Sequence, residues 1–198
     1  MPTTANTGRA NQRARTRAAI VDACRQLTRS GTEVTMPKVA ERAMVSEATA
    51  YRYFPDLVSL LREALGGLWP EPSEAFKPVA ASADPTERVA FACEYLLRRV
   101  HAYQGSVRAM IAGTITAPAA HGAARPGYRF GLIDCALAPF GNGLAPDAMT
   151  RLKQDLAMVV SAEAFFTLTD LCGLSPDDAI ASAVRTAATI TAAAFAAA

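Results

Sequence analysis

Residues 31–61 read GTEVTMPKVAERAMVSEATAYRYFPDLVSLL, and this stretch decides the fold. Gly31 suits the residue just past a helix, where the left-handed conformation costs glycine nothing. Thr35 is an N-cap residue for a short helix in which Val39, Ala40 and Ala43 face inward. In Met44-Val45-Ser46, Val45 plugs the angle between two helices and Ser46 caps the next. That helix, Glu47-Ala48-Thr49-Ala50-Tyr51-Arg52-Tyr53-Phe54, is small at Ala50 and large at Phe54 on its core side. Two short helices joined by a tight turn form a helix-turn-helix.

The second helix of such a unit fits the B-DNA major groove, with residues near its N-terminus meeting base edges. The expected reading face is therefore Glu47, Ala48, Thr49 and Tyr51. Glu47 suits a cytosine amine, and Ala48 and the Thr49 methyl suit thymine methyls. Contacts to the DNA backbone are expected from Thr35, Ser46, Arg52 and Tyr53, and from Arg15 and Arg17 ahead of the unit.

Upstream, Ile20, Cys24 and Leu27 recur at i, i+4 and i+7 and share one helix face. Met1 to Arg62 holds ten basic and five acidic residues, a net +5, and the remainder holds ten and thirteen, a net −3, which accounts for the overall +2. The front third is built to meet a polyanion. Strand-like alternation is scarce, and alanine, leucine and arginine recur at helical spacing, so an all-α fold is expected.

Prolines mark the joints. Asp84-Pro85-Thr86-Glu87 and Ser175-Pro176-Asp177-Asp178 each read as an N-cap followed by proline at the first helical position. Pro118 is expected to end one helix and Arg125-Pro126 to open another, with a loop over 139–146. The spacing predicts helices near 14–30, 36–43, 47–54, 56–67, 85–103, 105–117, 126–138, 146–172 and 176–196, and a weak one at 73–82. The domain reading is a flexible basic arm at 1–13, a three-helix DNA-binding domain at 14–61, and a C-terminal helical domain at 62–198.

Other classes find little support. No signal-like segment opens the chain and no run of about twenty uninterrupted apolar residues follows, so a cytoplasmic protein with no membrane partner is expected. Cys24, Cys93, Cys135 and Cys172 lack metal-site spacing and read as buried free thiols within helices. His101 and His121 come without a phosphate loop, a metal-binding helix motif or a nucleophile elbow. No enzyme activity, no catalytic residue, no metal and no cofactor is expected.

The segment from Arg17 to Leu61 resembles the DNA-binding domain of TetR/AcrR-family transcriptional regulators. Gly31, Val34-Thr35, Val39-Ala40, Ala43, Val45-Ser46, Thr49, Tyr51-Arg52-Tyr53-Phe54 and Leu60-Leu61 carry the likeness. Two positions depart from the family pattern. Met44 stands where glycine is usual in a positive-φ turn, at a cost of roughly 1 kcal/mol. Leu57 stands where a phosphate-contacting lysine is usual, which leaves Arg13, Arg15, Arg17 or Arg52 to supply the charge.

The resemblance implies a C-terminal ligand-binding and dimerisation domain. One short reading helix gives too little specificity, and the usual remedy is a homodimer reading two half-sites of a palindromic double-stranded DNA operator. The family likeness implies that the last two long helices pair with a second copy, through Leu152, Leu156, Val159, Val160, Phe166, Ala183, Ala187 and Ile190. Helices near 85–138 would enclose a largely apolar small-molecule effector. Its expected lining is Trp69, Phe91, Tyr95, His101, Met110, Thr114, Tyr128, Phe130, Asp134 and Phe165. The expected function is that of a repressor released by its effector; a regulator of the same fold controlled by a protein partner, or without a ligand, is the alternative.

Overall fold

The computed structural model describes residues 4–66, 69–116 and 127–197. Pro118, His121, Arg125 and Pro126 lie outside the described residues. Eleven α-helices and no strand occur among the described residues, as the sequence predicts. They divide into two compact units, the first built from the N-terminal helices together with residues 103–126.

In the first unit, α1 (Thr4–Arg29), α2 (Met36–Arg42), α3 (Glu47–Tyr53) and α4 (Leu57–Leu65) enclose one apolar core. Ile20, Cys24 and Leu27 of α1 point into it as their spacing predicts, meeting Val39, Ala40, Ala50, Phe54, Leu60 and Leu61. Gly31 takes φ +68° just past α1. The stretch expected as a flexible arm is helical from Thr4 onward and continuous with α1.

The second unit begins with α5 (Pro72–Ala75), a 3-10 turn over Lys77–Val79, and α6 (Pro85–Ala102). The chain then passes through α7 (Gln104–Thr116), which belongs to the first unit. Chain order alone groups this helix with the C-terminal part. Long-range contacts place it instead: Met110 joins the first unit's core, and Ser106 hydrogen-bonds Thr28 at 2.8 Å in a buried position. Gly113 permits the approach, because a Cβ there would lie 2.4 Å from Val58 Cγ2 of α4.

The second unit continues with α8 (Tyr128–Leu137), α9 (Pro146–Val159), α10 (Ala162–Phe166) and α11 (Pro176–Ala196). Asp84 accepts a hydrogen bond from the Thr86 amide at 2.7 Å, and Ser175 accepts one from the Asp178 amide at 3.2 Å, as expected of N-caps. Along α11, Ala179, Ala183, Ala187 and Thr191 form a buried stripe at four-residue spacing. The helix runs against α6, whose Val89, Ala92, Cys93, Leu96, Leu97 and Val100 are buried in turn.

The single helix expected over 146–172 is broken. Ser161 is extended, at φ −149° and ψ 150°, and its hydroxyl accepts from the Ala164 amide at 3.0 Å, so it starts a new helix in mid-segment. Arg129 of α8 spans the break. It donates to the Ala157 carbonyl at 3.2 Å and to Glu163 at 3.1 Å. A π-helical stretch over Thr167–Leu171 follows α10.

The four thiols are free, but they are not all buried. Burial raises Cys24 to about 11 and Cys93 to about 12, whereas Cys172 is exposed beyond the π-helical stretch. Thiolate is the reactive form. Titration with a thiol reagent at neutral pH is therefore expected to modify Cys172 first and to leave Cys24 and Cys93 untouched until the protein unfolds. The folded state holds these two thiols protonated above the ordinary cysteine pKa, so their contribution to stability declines as pH rises past about 9. A fall in melting temperature over that range, made smaller by replacing both cysteines with alanine, is the matching observation.

Candidate nucleic-acid interface

The turn between α2 and α3 has the hydrogen bonds of a Schellman motif. The Val45 amide bonds the Ala40 carbonyl and the Met44 amide bonds the Glu41 carbonyl, each at 3.0 Å. That geometry requires a left-handed residue between them, and Met44 supplies it at φ +54°, 93% exposed. Val45 is thereby folded back onto the core, in the plugging position its sequence context predicts. Because methionine in this conformation is strained and its side chain touches little, Met44→Gly is expected to raise stability by up to about 1 kcal/mol. A urea titration checks this, and a loss of stability would show that the methionine side chain contributes packing.

Both expected N-caps are in place. Thr35 accepts from the Lys38 amide at 3.4 Å, and Ser46 accepts from the Thr49 amide at 3.2 Å while donating to the Thr49 hydroxyl at 2.9 Å. On the underside of α3, Ala50 is fully buried and Phe54, just past its last turn, is 1% exposed. On the outer side Glu47, Ala48 and Arg52 are exposed and Tyr51 is 47% exposed; Thr49 and Tyr53 are half-buried. A seven-residue helix is thus seated by its apolar side and presents a polar side to solvent.

Residues 20–64 match the family model described as bacterial regulatory proteins, tetR family. This chain carries a TetR-family DNA-binding domain. It is a DNA-binding transcriptional regulator, and the matched segment contains the helix-turn-helix. A search of curated proteins finds no significant match.

Just ahead of the segment that matches the TetR family, Arg15 is exposed, but Arg17, also expected at the DNA backbone, is committed internally. Its guanidinium pairs with both carboxylate oxygens of Glu63, donates to the Tyr53 carbonyl at 3.3 Å, and lies 4.4 Å from the Phe54 ring centre. It ties the end of α3 to α1 and α4. Leu57 is half-buried against the domain's core, so the start of α4 presents an apolar group where a cation was missing from the sequence pattern. The clamp was not foreseen because its three partners are remote in sequence.

The residues expected to line an effector cavity do not gather in one place. Trp69, Met110 and Thr114 fall in the unit of the TetR-family domain. There Met110 is core, and Thr114 bonds the Met110 and Ile111 carbonyls of its own helix. In the second unit Phe130 is 56% exposed, and Asp134 is exposed and paired with Lys153 at 2.7 Å, so both face water. His101 is exposed too, its ring 5.9 Å from that of the buried Phe165.

Three of the expected residues do assemble. Phe91 stacks on Tyr95 at 5.8 Å, and the Tyr95 hydroxyl hydrogen-bonds Tyr128. Tyr128 donates to the Pro70 carbonyl at 2.7 Å, and burial, with the Tyr95 bond second, drives its pKa upward. Phe76 meets Phe91 edge-on at 5.4 Å, and Arg99 lies 5.0 Å from the Tyr95 ring centre. Sequence reading missed Phe76 and Arg99. Phe76 sits in a proline-rich stretch without periodicity, and Arg99 reads as one of a pair of solvated arginines.

Of the residues expected at a dimer contact, Leu152, Leu156, Val160, Ala183 and Ala187 are buried within the single chain and have no surface left to bury against another. Val159, Phe166 and Ile190 are partly open. Ala183 and Ala187 are covered because the alanine stripe accommodates α6 of the same chain.

Proposed function

We propose that this protein is a cytoplasmic, homodimeric repressor that binds a palindromic operator and is released by a small, largely apolar effector. The observation that carries this reading is the outward face of α3, with Glu47, Ala48 and Tyr51 exposed over the buried Ala50 and Phe54. Glu47, Ala48, Thr49 and Tyr51 read bases; Thr35, Ser46, Arg15, Arg52 and Tyr53 meet phosphates. Selection of bound duplexes from a random library is expected to yield an inverted repeat with half-sites about one helical turn, or a small multiple of it, apart. Enrichment of a single unrepeated site would overturn the dimer.

Dimerisation is supported by the leftover surface of α11. This helix is long and apolar enough to cross a membrane by composition, yet most of it is not buried. Ala181, Val184, Ala188 and Ala192 continue along its outer side, and Met158 of α9 is 76% exposed. A groove of about 1000 Å³ between the start of α9 and the end of α11, lined by the partly open Ala148, Ile190 and Ala194, adds room for a partner helix. Such a face in water favours association of two copies into a four-helix bundle. The acidic start of α11, Asp177 and Asp178, and Arg185 within it disfavour insertion in lipid.

Effector control is supported by the Phe76, Phe91, Tyr95 and Tyr128 cluster with Arg99, where aromatic surface meets a few polar groups. A ligand that fits a different arrangement of this cluster shifts the population away from the DNA-competent form. Thermal-shift screening is expected to find aromatic compounds that raise the melting temperature and weaken operator binding together.

A further inference from the structure

Between α1 and α3 lies a cleft of about 510 Å³. Gln12, Arg13 and Thr16 form one wall, and Ser46, Arg52 and Tyr53 stand on the other; no carboxylate lines it. Arg13 and Arg52 make no ion pair among the described residues, whereas Arg17, one turn further along α1, is neutralised by Glu63. The walls are held in place from below. Arg17 of α1 donates to the Tyr53 carbonyl at the end of α3, and Thr16 is fixed on its helix by a 3.0 Å bond to the Gln12 carbonyl.

We propose that this cleft seats one backbone phosphate of the DNA, flanked by the Arg13 and Arg52 guanidiniums and met by hydroxyls of its rim. The proposal rests on the DNA-binding reading and gives it a specific electrostatic contact. Two unpaired guanidiniums facing one concavity are the arrangement a phosphodiester anion satisfies, and planar guanidinium forks bond its oxygens in pairs. Arg13 comes from a helix that is already formed, so little ordering is lost on binding. The seat also supplies a cation next to the reading helix, where the start of α4 offers only Leu57. Phosphate contacts set register and orientation, and base edges are read by the exposed side of α3.

The test compares wild type, Arg13→Gln/Arg52→Gln and Arg29→Gln for binding to a duplex of random sequence across a series of chloride concentrations. Arg29 sits about 24 Å from Arg13 along α1 at the ordinary helical rise and serves as the charge-loss control. The double variant is expected to weaken binding by roughly tenfold or more, and to flatten the dependence of log K on log salt by about one per protomer. Arg29→Gln leaves the slope near wild type, and Arg13→Lys/Arg52→Lys restores it. Both guanidiniums are exposed and make no ion pair among the described residues, Arg52 touching only the Tyr53 ring at 5.7 Å, so the variants are expected to keep a melting temperature near wild type. A wild-type slope in the double variant removes the seat while leaving DNA binding intact; wild type that binds no duplex at any salt removes the DNA reading as well. Inorganic phosphate, at matched ionic strength, is expected to raise the melting temperature no more than chloride does. A phosphate-specific rise lost in the double variant, together with an unchanged salt slope for DNA, would assign the cleft to a free anion and overturn the proposal.

Discussion

Arg88→Ala is expected to destabilise the second unit by about 3–5 kcal/mol. Arg88 is 5% exposed and is met by no carboxylate among the described residues. Its guanidinium instead donates to four carbonyls: Ala136 at 3.0 Å, Cys135 at 2.8 Å, Val79 at 2.7 Å and Ala80 at 3.3 Å. Cys135 and Ala136 belong to the last turn of α8, whose carbonyls have no partner within the helix and carry the negative end of its dipole. Val79 and Ala80 close the 3-10 turn before α6. One cation therefore satisfies the ends of two elements at once, with the Phe76 ring 5.4 Å away. Alanine leaves the carbonyls buried and opens a void. Against a total stability on the order of 5–15 kcal/mol, the loss brings this unit close to unfolding at ambient temperature. Urea denaturation measures it; a cost below about 1 kcal/mol would show that water reaches those carbonyls unaided.

Phe54→Ala should cost a similar amount, about 3–5 kcal/mol, in the other unit. The ring is 1% exposed beneath the end of α3, and Arg17 covers its face while reaching Glu63 and the Tyr53 carbonyl. Removing it empties the support of the reading helix and undercuts the clamp together. DNA binding is expected to disappear with the fold of this unit, and hydrogen exchange is expected to accelerate first in α1 to α4. In Arg88→Ala the acceleration starts in α6 and α8. The same exchange pattern in both variants would contradict the division of labour between the two residues.

What the sequence discloses follows from how far each interaction reaches along the chain. Thr35, Ser46, Asp84 and Ser175 cap helices through amides two or three residues away, so residue type and position suffice to find them. Ala50 and Phe54 face inward because a four-residue spacing puts them on one side. The strain at Met44 is legible because a turn of this kind needs a left-handed residue. Ser161 caps locally too, but it interrupts an otherwise continuous apolar pattern without glycine or proline, so nothing flagged the break.

The remaining surprises depend on distant partners. Thr28 and Ser106, 78 positions apart, tie α7 to the first unit, and no periodicity within α7 announces that. Ala183 and Ala187 of α11 are expected at a dimer contact, but small residues do not declare whether the helix they admit belongs to the same chain or another. Aromatic and polar residues expected around an effector scattered because helical spacing places a residue on a face without saying what that face meets.

The central claim is that the outer side of α3 reads bases. The Thr49→Ala/Tyr51→Ala variant tests it most directly, using the duplex recovered by selection from a random library alongside an unselected duplex. These side chains are half-buried or exposed and do little for the core, so the melting temperature is expected to stay near wild type. Affinity for the selected duplex is expected to fall about a hundredfold, taking roughly 1–3 kcal/mol per lost base contact, while affinity for the unselected duplex barely changes. Undiminished preference for the selected duplex in the folded variant would contradict the account, because the bases would then be read from somewhere else.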